Sequence, residues 1–185
     1  MKISILLIAV LSIASVSNAQ KFFTKTGKIN FDATAPKSPE NIDGVNKNSI
    51  CVIDSKTGEL QFSVLMKGFE FERALMMEHF NENYVESDKF NKTTFKGNIT
   101  NNESINYSKD GVYPAKVKGK LDMHGQTKDI ETEGKIIIKA GKVQVTANFN
   151  AQFEDFKITI PQLVADKVAK FAKITVDCTL DPLAK

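Results

Sequence analysis

The chain has 185 residues, 42% of them hydrophobic, with 25 basic against 22 acidic side chains and a formal net charge of +3. Lysines and acidic residues are interleaved and form no basic block, so nucleic acid is not indicated as a partner. A chain of this length suits one domain that buries roughly 70% of its unfolded surface.

The first element is a leader. Lys2 precedes an apolar run from Ile3 to Val16, and Ser17-Asn18-Ala19 places small residues at the spacing a signal peptidase accepts. The run falls short of the roughly 20 residues that span a bilayer, and no cysteine at the cut would take a lipid anchor. Residues 1–19 are expected to be a signal peptide, leaving 20–185 as one exported domain in the periplasm or outside the cell.

Lys21–Phe31 reads as a strand with Phe23, Gly27, Ile29 and Phe31 on one face. Ala33–Gly44, with Pro36 and Pro39, reads as a loop. Ser49–Asp54 is a second strand, and Ser55-Lys56-Thr57-Gly58 is a hairpin turn. From Glu59 to Lys67 the pattern alternates, with Leu60, Phe62, Val64 and Met66 together. From Phe71 it changes to helical spacing (Phe71, Leu75 and His79; Met76 and Phe80) before Thr93–Thr100 becomes extended again.

Three strands with little error follow. Tyr113, Ala115, Val117, Gly119, Leu121 and Met123 share one face. After His124-Gly125-Gln126-Thr127, so do Ile130, Thr132, Gly134, Ile136 and Ile138. After Ala140-Gly141, so do Val143, Val145, Ala147, Phe149, Ala151 and Phe153. Asp155–Ile160 runs to Pro161, Leu163–Phe171 has the spacing of a short amphipathic helix, and Lys173–Leu180 is the last strand. About eight long strands, each wet on one side, with one or two short helices, predict an all-β, eight-stranded antiparallel barrel of the up-and-down kind rather than a sandwich.

The inward faces mix Ala115, Gly119, Gly134, Ala147 and Ala151 with Val117, Leu121, Ile136, Val145, Phe149 and Phe153. Periodicity leaves two readings open: the small residues relieve crowding at bends, or they leave an apolar cavity. A cavity would suit a long hydrocarbon chain, since each methylene removed from water is worth about 0.8 kcal/mol. Met66, Met76 and Met77 near the helical insert would suit an adaptable lid.

Catalytic and metal chemistry find little support. His79 and His124 are the only histidines and lie in different elements; His79 is expected to pack in the core or lid, and His124 to serve its turn. No paired metal histidines, nucleophile elbow or phosphate-cradling loop occurs, and no cofactor is implied. Arg73, the lone arginine, either pairs with a carboxylate or meets a ligand's polar head. Cys51 and Cys178 sit within strands, and a bridge requires those strands to be neighbours. Four Asn-X-Ser/Thr triplets, from Asn91, Asn98, Asn102 and Asn106, are what chance supplies in a chain so rich in these residues.

Thr57-Gly58-Glu59-Leu60 leading into FSVLMKGFEFERALMMEHFNENYVESDKF, then TTFKG, LDMHGQTKDI and the late ITIP, resembles the YceI-like family of exported lipid- or polyisoprenoid-binding proteins. The resemblance implies a lipocalin-like barrel whose lumen holds an isoprenoid or other long-chain apolar lipid, and it allows transient contact with a membrane. It carries over no catalytic residue. The ligand-binding residues it implies are Phe62, Val64, Met66, Phe71, Leu75, Met76, Phe80 and Phe95, with Val117, Leu121, Ile136, Val145, Phe149 and Phe153 from the inward faces. Carriage or storage of such a lipid is the first expectation. A stress-responsive interaction protein acting through its surface is the alternative. An enzyme using His79, Glu78 and Arg73 ranks last.

Overall fold

The computed structural model describes residues 21–183, so the expected signal peptide lies outside the described residues. Eight long strands carry the fold: β1 (Lys21–Thr34), β2 (Asp43–Asp54), β3 (Glu59–Leu65), β5 (Lys92–Ile99), β6 (Gly111–Met123), β7 (Gln126–Lys139), β8 (Lys142–Gln152) and β9 (Val168–Pro182). A two-residue strand, β4 (Phe69–Glu70), adds to β2 through Val45 and Asn46. All pairings are antiparallel, in the order β1-β9-β8-β7-β6-β5-β3-β2-β4, and β1 also pairs with β2. That extra ladder closes the sheet into the eight-stranded barrel the alternation predicts.

Strand β1 meets both neighbours only by bending. Its registers with β2 and β9 slip between Thr24 and Gly27 and between Phe23 and Lys28. The slip moves Phe22 rather than Phe23 into the core, because one extra residue reverses which side chains point inward. Cys51 on β2 and Cys178 on β9 meet over the bend, where Gly27 has no side chain; a Cβ there would lie 2.5 Å from Cys178 Sγ. Burial first, then the hydrogen bond and charge of Cys178, push the Cys51 thiol well above its ordinary range. Both cysteines are free. Strand β1 lies between theirs, so the two thiols approach each other only where Gly27 leaves the space open.

Two segments differ from the expected pattern. Strand β2 begins at Asp43 rather than Ser49. Leu163–Phe171 is not a helix: a single turn of 3-10 helix covers Gln162–Val164, and β9 begins at Val168, pairing with Thr34 and then, through Phe171 and Ala172, with β8. A helix this short is marginal on its own, whereas the extended chain gains a ladder on each side.

The two barrel ends are unlike. At one, the turns at 55–58 and 140–141 and the segment 100–110 close over a solid floor of Ile53, Ile138, Val143 and Leu180, all buried. Tyr107 stacks on Phe22 there, ring centroids 6.0 Å apart, and its hydroxyl donates to Asn102 Oδ1 at 2.9 Å. The other end gathers 35–42, 66–91, 124–125 and 153–167. Near it the β7–β8 ladder stops: pairing runs from Lys139–Lys142 only as far as Gly134–Ala147. Beyond, Thr132 Oγ1 donates to Asn148 O at 3.1 Å, and the 3-10 turn Glu154–Phe156 packs between the diverging strands with Phe156 fully buried.

The outer wall is polar. Lys120 pairs with Asp129 at 2.9 Å and Lys142 with Asp181 at 2.7 Å.

Two expectations follow. Gly27→Ala should cost about 1–3 kcal/mol in urea unfolding, as overpacking does, and Cys178→Ala in that background should recover part of the loss. Burial, then the charge of Asp54, pushes Tyr107 up to about 12. The folded state therefore ionises later than the unfolded chain, whose phenol has its ordinary value near 10, so this residue's contribution is constant below that pH and is lost as pH rises toward 12. An ultraviolet titration should show one tyrosine ionising at a higher pH in the folded protein than in the unfolded chain, and Tyr107→Phe should remove that late step.

Candidate functional site

The upper part of the barrel encloses a cavity of about 340 Å³, within the range of small-molecule sites. Strand β3 contributes Leu60, Phe62 and Val64, followed by Met66; β5 contributes Thr93 and Phe95. Strand β6 adds Ala115, Val117, Leu121 and Met123, β7 adds Ile130, Thr132, Gly134 and Ile136, and β8 adds Val145, Ala147, Phe149 and Ala151. Phe153, Ile158 and Ile160 complete that side. Of the three threonines that border it, Thr132 donates its hydroxyl to Asn148 O and Thr93 to Met66 Sδ at 3.0 Å, both within the wall.

The small residues act as the cavity reading requires at four of five positions. Ala115, Gly134, Ala147 and Ala151 border the cavity. Gly119 does not: it faces Gly97 across the β5–β6 ladder, and a Cβ on it would lie 2.6 Å from Phe95 Cζ. The glycine pair is a seat for the Phe95 ring, which itself forms the wall.

At the open end lies the helical insert, α1 (Ala74–His79), which continues through one wider π turn, Phe80–Tyr84. Leu75, Met76, His79 and Phe80 border the cavity. Phe71 does not, and the expectation that it lines the lumen is corrected. It precedes the helix, its ring covers Gly44, and it packs on Phe80 with centroids 4.9 Å apart. Phe31 and Phe69 each approach Phe80 at 5.4 Å. These rings anchor the insert, so Phe71 holds the lid instead of facing the ligand space. Leu75 is 60% exposed, at the rim rather than under it.

His79 is also exposed, with Nδ1 3.1 Å from Asn83 Nδ2, and does not pack in the core. His124 serves its turn. Its Nδ1 lies 2.8 Å from Phe156 O and its Nε2 2.9 Å from Glu86 Oε2, and Phe90 packs edge-on against the ring at 4.5 Å. It thus ties the β6–β7 turn to the segment after the helix and to the Glu154–Phe156 turn. Arg73 pairs with Glu40, Nη1 to Oε2 at 2.7 Å, across the mouth. His79, Glu78 and Arg73 share one short segment but assemble no nucleophile or buried acid–base pair, and no metal cluster is found among the described residues.

Lining residues also come from the first and last strands and from connecting segments. Ile29, Phe31 and Ala33 on β1, and Val168, Ala172, Ile174 and Val176 on β9, border the cavity. So do Ile42 and Val164 in connecting segments. The β9 residues continue a period of 2 that Leu163–Phe171 masks with coincident helical spacing.

A closed antiparallel barrel, filled at one end and hollow and apolar at the other, defines a lipocalin-like architecture. The sequence matches the YceI-like domain over residues 9–180, and the chain belongs to that family. The fold is similar to a polyisoprenoid binding domain from Saccharophagus degradans implicated in plant cell wall breakdown, at 12% identity and a TM-score of 0.77, covering 89% of this chain and 99% of that one. It is also similar to BcnA of Burkholderia cenocepacia (12% identity, TM-score 0.65, 83% and 95% covered) and to the YceI protein of Campylobacter jejuni (13%, 0.53, 97% and 91%). Comparison with curated proteins gives no match.

Removing the anchor ring should separate the insert from the barrel. Phe80→Ala should cost about 3–5 kcal/mol and open 74–84 to proteolysis before the barrel unfolds. Leu75→Asp, at the exposed rim, should stay within about 0.5 kcal/mol of the parent. Chemical denaturation with limited proteolysis checks both.

Proposed function

We propose that this protein binds and carries, or stores, an isoprenoid-type lipid, a polyprenyl or quinone chain, with the tail in the barrel lumen. The observation that carries the reading is the lumen itself. It is open at the helical end, stopped by a packed floor, and walled below the rim mostly by apolar side chains, with the hydroxyls of Thr93 and Thr132 already hydrogen-bonded within the wall. Water there meets few partners, whereas a hydrocarbon chain gains about 0.8 kcal/mol for every methylene it withdraws from solvent. Family membership and the similarity to the polyisoprenoid binding domain of S. degradans agree with a polyisoprenoid tenant.

The leader pattern of residues 1–19 supports work in the periplasm or outside the cell, where a lipid crossing water needs a carrier. The charged outer wall supports a barrel that faces water rather than acyl chains. No step of chemistry is assigned to the lumen.

Protein expressed with its leader in a bacterial host, purified without detergent and extracted with organic solvent, should yield an apolar lipid by mass spectrometry, and its N-terminus should be Gln20. Ala147→Phe, which points a ring into the lumen beside Gly134, should keep the fold and weaken uptake of an apolar fluorescent probe roughly tenfold, the worth of about two methylenes. An empty extract together with unchanged probe uptake in the variant would refute the lumen as the site.

A further inference from the structure

Resting on the lumen reading, we propose that the mouth selects amphiphiles whose head carries a negative charge, with Lys167 and Arg73 as the selecting residues. The tail can enter only from the helical end, because the floor is packed and buried, so the polar head stays at the rim. The acidic and basic residues bordering the cavity are Glu40, Arg73, His79, Lys135 and Lys167. Lys135 belongs to the outward set of β7, between Gly134 and Ile136. The other four sit at the mouth, on three separate segments.

Their charges do not balance. Glu40 is the one carboxylate among them, and its Oε2 is already 2.7 Å from Arg73 Nη1. That contact uses one of the guanidinium's five N–H donors, leaving others free for a second acceptor. Lys167 makes no ion pair among the described residues, and its backbone is fixed by Ala35 N–H donating to Lys167 O at 3.0 Å. Glu72, Glu78, Glu82 and Asp166 lie on the same segments but do not border the cavity. A phosphate or carboxylate seated in the mouth would meet a free ammonium and a partly used guanidinium, and planar guanidinium groups suit both oxyanions. A cationic head would have to take Glu40 from Arg73.

The test compares chains that differ only in the head: geranylgeranyl phosphate, geranylgeranoic acid, geranylgeraniol and geranylgeranyl amine, competing with an apolar fluorescent probe for the intact protein. The anionic heads should bind roughly 3- to 10-fold tighter than the alcohol, the scale of one or two half-exposed charged contacts. The preference should shrink in about 1 M salt, where the screening length falls to about 3 Å. The phosphate and acid arms tell which oxyanion the mouth takes. In the double variant Lys167→Gln, Arg73→Gln the ratio of anion to alcohol affinity should fall to about one. Equal affinities in the parent, tightest binding of the amine, or a ratio that survives the double substitution would each overturn the proposal. Failure of all four chains to bind would overturn the lumen reading, and the selection with it.

Discussion

The structure depends on one strand being hydrogen-bonded on both sides. β1 pairs with β2 and with β9, and without that double ladder the eight long strands would form an open sheet with two exposed edges. Closure forces every inward side chain into a common interior, so residues far apart in sequence, such as Ile29 and Val145, come to border the same space. It also demands sharp curvature, and the register slips around Gly27 are where the chain supplies it. The bare glycine there and the two thiols above it are a consequence of closure. Their burial makes them small apolar packing groups rather than reagents.

Residue size then divides the interior. Near the floor, Ile53, Ile138, Val143, Leu180 and Phe22 fill the barrel, as an eight-stranded barrel permits. Higher up, Ala115, Gly134, Ala147 and Ala151 occur on three adjacent strands, and the wall recedes on one side. Aromatic rings on the opposite side do not follow it inward, because Phe31, Phe69 and Phe71 are committed to gripping Phe80 and the helical insert. The hollow is therefore a product of two arrangements, small residues on one wall and occupied aromatics at the lid.

Most of the barrel could be read in the alternation from Tyr113 to Phe153, because a half-buried strand must repeat every two residues and nothing there disturbs the count. The period failed where a bulge or a coincidence intervened. Around Gly27 an inserted residue exchanged Phe22 for Phe23, and no single-chain pattern announces such a slip. From Leu163 to Phe171 apolar residues also fit a helix, and only the ladders offered by β1 and β8 decide for a strand. The candidate lining was legible wherever strands were. Phe71 misled because helical spacing shows that residues share a face but not what that face touches. The cation at Lys167 gave no signal, since its meaning lies in what surrounds it across the mouth.

The unzipped upper part of the β7–β8 wall gives the barrel a property a fully laddered one lacks. Above Gly134 and Ala147, neighbouring strands are joined by a threonine hydroxyl and by the packing of a short turn, not by a row of amide–carbonyl bonds. Hydrogen-bonded ladders fix the distance between strands; side-chain packing permits it to vary. The girth of the barrel is thus set by a continuous ladder at its base and by side-chain packing at its lip, where the spacing of the two strands can change without any strand pairing being broken.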